Sequence, residues 1–443
     1  MADPSRPRLT VLGTGYLGAT HAVCMAELGF DVLGLDVDAA KVASLSAGEL
    51  PFFEPELPEL LRKSLASGRL RFTTSYAEVA EFGDVHFVCV GTPQKAGEFA
   101  ADLTFVNAAF SALAPLLTRP CLVVGKSTVP AGTAADLARL VAGAAPVGSA
   151  AQLAWNPEFL REGYAVQDTL RPDRLVFGVA SDDAEAQLRA VYAPLIADGV
   201  PVVVTDFATA ELVKVAANAF LATKISFINA MAEVCEATGA DVKALSGALS
   251  YDSRIGGRFL NAGLGFGGGC LPKDIRAFMA RAGELGVDQA LSFLREVDAI
   301  NLRRRDRAID LARELTDGTF VDTRVAVFGA AFKPNSDDIR DSPALDVATR
   351  LHQQGAQVLV YDPQAMDNAR RRYPHLSYAD SAVDAGRDAD LVLMLTEWAE
   401  FRELDPAVLG TVVARRRIVD GRNALDPLRW RAAGWQYRAL GRP

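Results

Sequence analysis

Short apolar strand patterns alternate with helical patterns through the first 200 residues. The run RLTVLG (8–13) precedes the helical segment ATHAVCMAELG (19–29), and DVLGLD (31–36) follows as a second strand. Further apolar runs lie at 84–90, 121–127 and 174–180. Alternation of this kind predicts a parallel, doubly wound sheet with helices on both faces.

A long helical pattern follows this region. From Asp206 the chain contains no proline or glycine until Gly239. This is roughly 33 residues of helix, or ~50 Å at a rise of about 1.5 Å per residue. We expect this helix to connect two domains and to offer a surface for dimer formation.

The strand and helix alternation returns after residue 320. The segment 342–355 has a helical pattern, and four runs resemble strands: 324–333, 356–362, 389–395 and 416–421. The pattern therefore predicts a second α/β domain similar in architecture to the first, although no sequence repeat relates the two.

Composition excludes several classes of function. The 443 residues carry a net charge of −9, which argues against nucleic acid or an anionic membrane as the main partner. The N-terminal segment MADPSRPR is not signal-like, and no span of ~18 apolar residues stands out, so we expect a cytoplasmic protein. Five scattered cysteines fit a reducing compartment, and the four histidines show no metal-ligand spacing. No metal site is expected.

A glycine-rich turn predicts dinucleotide binding. Gly13, Gly15 and Gly18 have the GxGxxG spacing directly after a strand and at the start of a helix. Asp36 ends the second strand, where a carboxylate hydrogen-bonds the adenosine ribose. A carboxylate at that position repels a 2′-phosphate, so the sequence favours NAD over NADP.

The stretch GFGGGCLPKD (265–274) presents one cysteine after four glycines. The other four cysteines lie inside apolar strand or helix patterns, as small buried side chains do. Cys270 instead follows a loop whose amides can converge on an anion, with Lys273 three residues on, and both features favour a thiolate. We also expect the glycines to leave room for a substrate against the main chain. A flexible loop with an incidental thiol is the alternative.

A dehydrogenase with a nucleophilic cysteine suggests a particular reaction. Hydride removal from an alcohol yields an aldehyde, which a thiolate traps as a thiohemiacetal. A second hydride transfer gives a thioester, and water releases an acid. The scheme needs a base and groups that hold an oxyanion. The candidates are Lys214 and Asn218 on one helix face, Glu158 and Glu162 at the same spacing, and Thr128 beyond a strand end.

Motifs along nearly the whole chain, from about Leu9 to Pro427, resemble the UDP-glucose/GDP-mannose dehydrogenase family. They are GTGYLG, VGTP, KSTVPAGT, NPEFLREG with PDR, NAFLATKISF, SRIGGRFL, GFGGGCLPKD, FKPNSDDIRDSP and DGRN. The resemblance implies two Rossmann-like doubly wound domains joined by a long central helix and a helical dimerisation domain. The implied boundaries are 1–204 for NAD binding, 205–317 for the central domain with the cysteine loop, and 318–443 for UDP-sugar binding.

The resemblance also implies roles for individual residues. Cys270 is the implied nucleophile, Glu158 the base, and the implied catalytic set is completed by Lys214, Asn218, Asp274 and Thr128. Implied cofactor contacts come from Gly13, Gly15, Tyr16, Leu17, Gly18, Asp36, Lys41, Thr92, Thr128, Glu162 and Arg340. Implied substrate contacts come from Glu158, Phe159, Leu160, Glu162, Lys214, Asn218, Phe266, Gly267, Gly268, Phe332, Lys333 and Arg422, with Arg254 reaching the site of a neighbouring subunit.

The sequence departs from the family pattern at two positions. Ala230 follows Asn229 where the family often has glutamate, and Gly269 stands where serine is commoner, which suggests added flexibility before the nucleophile. The motifs favour oxidation of UDP-glucose to UDP-glucuronate by a homodimer or a larger assembly. GDP-mannose and UDP-N-acetylmannosamine stay open as substrates, and a catalytically retired NAD-binding scaffold is the alternative of another class.

Overall fold

Two compact units make up the chain in a computed structural model that describes residues 6–443. The first unit comprises the residues through Ala217 together with Arg276–Gly286, and the second comprises Asn218–Ile275 and Val287–Pro443. The chain passes between the units three times, twice within helices (Phe207–Thr238 and Leu271–Glu284) and once after Gly286. The division into three domains at residues 204 and 317 stays a prediction.

The first unit is built on an eight-stranded sheet. Its strands are β1 (Leu9–Leu12), β2 (Val32–Leu35), β3 (Leu70–Thr73), β4 (Val85–Val88), β5 (Cys121–Gly125), β6 (Ala151–Trp155), β7 (Leu175–Gly178) and β8 (Val202–Thr205). They lie in the order β3-β2-β1-β4-β5-β6-β7-β8. All neighbours are parallel except β6 and β7, which pair antiparallel through Trp155 and Gly178. The sequence did not predict this reversal.

Helices cover both faces of this sheet. They are α1 (Tyr16–Glu27), α2 (Ala39–Ser46), α3 (Leu57–Ala66), α4 (Tyr76–Phe82), α5 (Thr104–Leu113), α6 (Thr133–Ala144), α7 (Ala165–Leu170), α8 (Asp182–Val191) and α9 (Ala193–Ala197). Val11 and Phe87 pack in one buried layer, whereas the adjacent Leu12 and Val88 pack in the other. Successive strand residues point to opposite faces, so a sheet buried on both sides needs the continuous apolar runs seen in the sequence.

The long helix α10 runs from Phe207 to Thr238, close to its predicted extent. Its length and composition would also suit a membrane span, a test that the core helices of other proteins pass as well. Its polar side chains bond to other segments of the protein: Ser226 to the carbonyl of Val297 at 2.7 Å, and Asn229 to the amide of Gly263 at 2.9 Å. These contacts favour a helix that packs within the protein.

The second unit contains a six-stranded parallel sheet in the order β11-β10-β9-β12-β13-β14, the 3-2-1-4-5-6 order of a Rossmann domain. Its strands are β9 (Arg324–Phe328), β10 (Gln357–Tyr361), β11 (Ser377–Tyr378), β12 (Leu391–Met394), β13 (Arg417–Asp420) and β14 (Gln436–Ala439). The helices from α11 onwards are α11 (Val242–Ser250), α12 (Leu271–Glu284), α13 (Phe293–Leu315), α14 (Pro343–Gln353), α15 (Met366–Arg372), α16 (Ala382–Gly386), α17 (Ala399–Glu403), α18 (Pro406–Leu409) and α19 (Pro427–Ala432). The predicted fold class is confirmed.

The first turn of each sheet has the same geometry, although no sequence repeat announces it. Gly13 after β1 and Gly329 after β9 both have positive φ, 84° and 118°. The next amide donates to the aspartate that ends the neighbouring strand, Asp36 in the first unit and Asp362 in the second. The turns then diverge: α1 begins at once at Tyr16, whereas α14 begins only at Pro343. Only the first unit therefore places a helix N-terminus directly on its turn.

Candidate active site

The turn between β1 and α1 has the shape that a dinucleotide requires. A Cβ at Gly13 would lie 2.7 Å from Cγ1 of Val90, and one at Gly18 would overlap the carbonyl of Gly13. A Cβ added at Gly15 would have no neighbouring atom within 4 Å, so the space above this glycine is open. Gly15 also precedes α1 without any side-chain cap, so the first amides of the helix are available to a pyrophosphate. These residues fit a bound dinucleotide.

Asp36 is buried at the end of β2 and is held as a carboxylate. It accepts hydrogen bonds from the Thr14 amide and the Lys41 ammonium, each at 2.9 Å. Burial opposes ionisation, but the bonds from Lys41 and from backbone amides outweigh it and lower the pKa of Asp36 below its usual value. Asp36 and Lys41, both predicted to contact the cofactor, are thus in direct contact.

Glu54 is a buried carboxylate that sequence reasoning missed. It accepts hydrogen bonds from the Tyr16 hydroxyl, the Gly163 amide and the Ala165 amide, the last two at 2.6 and 2.7 Å. Burial and the Glu54 carboxylate raise the pKa of Tyr16 far above its usual value, so the phenol stays a donor. Glu54 thus ties the glycine turn to the segment that carries Glu162. Its only signal in the sequence was a charged residue between two prolines, in PFFEP (51–55).

Thr92 and Thr128 lie together on the loops that follow β4 and β5. The Thr92 hydroxyl donates to the carbonyl of Thr128 at 2.8 Å. Farther along the second loop, Glu211 of α10 accepts from the amides of Gly132 and Ala134 at 2.7 and 2.6 Å. The guanidinium of Arg281 donates to the carbonyl of Ala131 at 2.8 and 3.0 Å. The segment that begins at Thr128 is therefore fixed at several points.

Glu158 and Lys214 form a nearly buried ion pair of 3.0 Å, with side chains 13% and 6% exposed. The second carboxylate oxygen of Glu158 accepts the amide of Leu160 at 2.7 Å. The ring of Phe159 lies between two cations, 5.5 Å from Nζ of Lys214 and 4.0 Å from Cζ of Arg174. The first unit thus brings together the predicted base, its lysine and the neighbouring Phe159 and Leu160.

In the second unit, Cys270 is exposed immediately before α12, whereas the other four cysteines are buried. The amides of a helix N-terminus favour a thiolate there. One turn on, Asp274 is buried. Its carboxylate accepts a hydrogen bond from the side-chain amide of Asn218 at 2.6 Å, and it also pairs with the Lys273 ammonium. The predicted Asn218 and Asp274 are therefore in direct contact, and Lys273 neutralises Asp274.

The glycine loop before Cys270 is tightly packed, which corrects the expectation that it leaves room for a substrate. A Cβ at Gly267 would overlap the carbonyl of Asp341, and one at Gly268 would lie 2.7 Å from Cζ of Phe332. At Gly269 a Cβ would overlap the guanidinium of Arg340. The glycines instead permit close approach by side chains and backbone from far along the chain.

The N-terminal end of this loop is secured by hydrogen bonds. Asn301 accepts the Phe266 amide at 2.7 Å and donates to the Phe266 carbonyl at 2.9 Å. The guanidinium of Arg422 donates to three carbonyls, those of Leu395, Gly265 and Phe332 at 2.7, 2.8 and 3.1 Å. Burial lowers the pKa of Arg422. Arg422, predicted to contact substrate, thus also holds the loop.

The remaining predicted residues of the second unit lie at its surface. Nζ of Lys333 lies 5.5 Å from the centre of the Phe332 ring, and Arg340 pairs with Asp338 at 2.7 Å. The Arg254 side chain is 88% exposed and pairs with Asp252 at 2.7 Å. No other predicted site residue bonds to Arg254 among residues 6–443. Within the same residues no cluster of three His, Cys, Asp or Glu side chains could hold a metal ion.

Comparison with known proteins identifies the family. Sequence models of three domains of one family match in order: the NAD binding domain over residues 7–196, the central domain over 208–303 and the UDP binding domain over 326–427. The chain belongs to the UDP-glucose/GDP-mannose dehydrogenase family. It is an NAD-dependent dehydrogenase, and the predicted family and cofactor are confirmed.

Individual relatives span the full length of the chain. It is 40% identical to the UDP-glucose 6-dehydrogenase of Rhizobium meliloti (strain 1021), over 98% of this chain and 100% of the relative. A solved UDP-glucose dehydrogenase from Pyrobaculum islandicum is 37% identical with a TM-score of 0.91 and full coverage of both chains. A solved UDP-D-ManNAc dehydrogenase from Pyrococcus horikoshii is 26% identical with a TM-score of 0.85, over 98% of this chain and 99% of that chain.

Proposed function

We propose that this dehydrogenase oxidises UDP-glucose to UDP-glucuronate with reduction of two NAD⁺. The observation that carries the proposal is an exposed thiol at a helix N-terminus in an NAD-dependent dehydrogenase. Full-length similarity to relatives named UDP-glucose 6-dehydrogenase supports the sugar, since identity to the UDP-D-ManNAc enzyme is lower.

In the proposed reaction the thiolate of Cys270 retains the substrate between the two oxidations. Bound NAD⁺ supplies the hydride acceptor in each oxidation. Cys270 adds to the aldehyde carbon and forms a thiohemiacetal, whose C–H bond breaks in the second oxidation to leave a thioester. Water then adds to the thioester carbonyl, and the C–S bond breaks to release the carboxylate and the thiolate.

The side chains around these steps have separate proposed roles. Glu158 takes a proton from the attacking water, since its carboxylate is fixed by Lys214 and the Leu160 amide. Lys214 and Asn218 donate to the oxyanion, and Asp274 orients the Asn218 amide. Thr128 completes the proposed catalytic set.

The proposed binding residues form two sets, one for each ligand. NAD is held by Gly13, Gly15, Tyr16, Leu17, Gly18, Asp36, Lys41, Thr92, Thr128, Glu162 and Arg340. The sugar nucleotide is held by Glu158, Phe159, Leu160, Glu162, Lys214, Asn218, Arg254, Phe266, Gly267, Gly268, Phe332, Lys333 and Arg422. The proposed domains are 1–204 for NAD binding, 205–317 for the central domain with the cysteine loop, and 318–443 for UDP-sugar binding.

The proposed assembly is a homodimer, in which Arg254 reaches the site of the neighbouring subunit. Its exposed side chain supports that role, as does a row of exposed apolar residues on α10. The proposed location is the cytoplasm, where exposed thiols such as Cys270 stay reduced.

A substrate panel tests the proposal. Purified protein is supplied with NAD⁺ and either UDP-glucose, GDP-mannose or UDP-N-acetylmannosamine, and NADH is followed by absorbance. UDP-glucose is expected to give the highest kcat/KM, with two NADH per sugar consumed. A preference for another sugar nucleotide would reassign the substrate. If none of the three sugar nucleotides yields NADH, the result would favour the alternative of an NAD-binding scaffold without catalytic activity.

A further inference from the structure

Lys126, immediately after β5, is a buried lysine that the proposed reaction does not use. The residue is only 6% exposed. Its Nζ donates to Oδ1 of Asn156 at 2.8 Å and lies 3.3 Å from the Asn156 carbonyl and 3.4 Å from the Tyr192 hydroxyl. The rings of Phe87 and Tyr192 lie 5.8 and 5.9 Å away, each presenting its π-system to the cation.

No carboxylate pairs directly with this ammonium within residues 6–443. Neutral oxygens and aromatic rings alone hold the charge, which is a costly arrangement for a buried cation. Burial accordingly lowers the pKa of Lys126 to about 8. The titratable groups that interact with it are His21, Cys89, Glu158, Tyr192 and Lys214. Of these, Glu158 is the only carboxylate.

Asn156 connects Lys126 to Glu158. Its amide donates to the Gly125 carbonyl at 2.8 Å, and its side-chain nitrogen donates to the Val176 carbonyl at 3.0 Å. Asn156 therefore anchors the end of β6 to both neighbouring strands. Pro157 and Glu158 follow directly, so the Asn156 carbonyl that faces Lys126 begins the turn from which Glu158 extends to Lys214.

We infer that Lys126 is a positioning residue for Glu158 in the hydrolysis of the thioester. Its ammonium fixes the Asn156 end of the turn and adds a second positive charge, besides that of Lys214, that interacts with the Glu158 carboxylate. The inference rests on the proposed function, in which Glu158 activates water. It predicts that loss of the Lys126 charge slows hydrolysis and leaves both oxidations intact.

Lys126→Met tests this prediction because it keeps the length of the side chain and removes the charge. The Tyr192 hydroxyl still donates to Asn156 at 2.6 Å, which preserves the core of the cluster. Rapid-quench experiments with UDP-glucose and NAD⁺ should show two NADH per site formed at the wild-type rate. Thioester breakdown should be slower on the order of 10- to 100-fold, since misplacement of a base costs that much. Intact-protein mass spectrometry should show the acyl adduct on Cys270.

Tyr192→Phe is the matched control. It removes a donor from the same Asn156 oxygen without changing the charge, so hydrolysis should stay near the wild-type rate. Equal slowing in both variants would reduce Lys126 to a packing role and overturn the inference. Wild-type hydrolysis rates in Lys126→Met would overturn it as well.

The wild-type enzyme provides a test that needs no variant. The ammonium is present below its pKa and is lost as pH rises through about 8. The rate of thioester breakdown should therefore fall between pH 7 and 9, whereas in a folded Lys126→Met enzyme this fall should be absent. A wild-type rate that is constant over that range contradicts the inference. Failure to form NADH or a Cys270 adduct would instead contradict the proposed function, so the two failures are distinguishable.

Discussion

Exposure separates Cys270 from the other cysteines. Burial raises the pKa of Cys24 and of Cys89 to about 12, which leaves those thiols protonated and inert. Cys270 is exposed and precedes the first turn of α12. The chemistry proposed for this chain therefore depends on a single sulfur atom, and replacement of that atom is the most direct test.

Cys270→Ser should lose turnover while it keeps sugar-nucleotide binding. A serine hydroxyl is far less acidic than a thiol, so the nucleophile disappears with little change in size. The expected loss in kcat is on the order of 10³-fold or more, as for removal of other covalent nucleophiles. Calorimetry measures binding of UDP-glucose, and absorbance measures NADH. Cys24→Ser, at a buried thiol, is the control for loss of sulfur alone. A serine enzyme that still made two NADH per sugar at the wild-type rate would remove the thiol from the mechanism.

Asp36 is the residue that we propose sets the choice of cofactor. Its carboxylate is held ionised by Lys41 and the Thr14 amide, so a 2′-phosphate at that position would meet a fixed negative charge. The enzyme should therefore strongly prefer NAD⁺ over NADP⁺. Asp36→Asn removes the charge and leaves the Lys41 ammonium, which should raise the ratio of kcat/KM for NADP⁺ to that for NAD⁺ by about tenfold, or ~1.4 kcal/mol. Equal turnover of both cofactors by the wild-type enzyme would overturn this assignment.

At the scale of elements, the glycine loop of residues 265–269 shows two kinds of crowding. Gly267 lies against a backbone carbonyl, that of Asp341, which cannot move without its chain. Gly269 lies against the end of the Arg340 side chain, which can rotate away. The two positions therefore form a matched pair for substitution by alanine.

Gly267→Ala should destabilise the protein more than Gly269→Ala does. Overpacking against fixed backbone costs about 1–3 kcal/mol, whereas displacement of a guanidinium costs less. Gly269→Ala should keep its unfolding temperature and raise KM for NAD⁺, since Arg340 is proposed to contact the cofactor. Calorimetric unfolding and steady-state kinetics measure the two effects. Equal destabilisation by both substitutions would mean that Arg340 is as rigid as the backbone.

The elements differ in how well their sequence predicted them. Most of the buried strands and α10 were evident because their apolar patterns are local and continuous. The buried strand β6 was missed, as were β8 and β14. β3 was missed because most of its residues are partly exposed, and β11 because it has only two residues. The reversed direction of β7 was also missed, since apolar periodicity is the same for parallel and antiparallel strands. Local patterns predict elements but not their pairing.

The candidate site shows the same limit. Cys270, Asp36 and the glycine turn were predicted because each motif is contiguous. Glu54 was not, because its partners Gly163 and Ala165 lie more than a hundred residues away. The crowding around Gly267 comes from Asp341, which is also remote in sequence. Long-range packing of this kind is absent from any local pattern.

At the scale of the whole molecule, α10 carries exposed apolar side chains at seven-residue intervals. Phe220, Phe227 and Val234 are 67%, 49% and 53% exposed, and this spacing places them along one face of the helix. Large exposed apolar side chains in a row are typical of an interface. They support the proposed dimer, in which each site would use Arg254 of the other subunit.

Mixed dimers test this sharing. Arg254→Ala and Cys270→Ala chains are each expected to be inactive as homodimers. If the arginine acts across the interface, a heterodimer contains one site with both residues and one site with neither. Random exchange of equal amounts should therefore restore about a quarter of wild-type activity, since half of the dimers are mixed and half of their sites are complete. If each chain supplied its own arginine, every site in the mixture would lack one residue, and no activity would return even after subunit exchange has been verified by mass spectrometry. Activity that is found in the mixture but in neither homodimer would thus establish both the dimer and the contribution of Arg254 to the site of the other subunit.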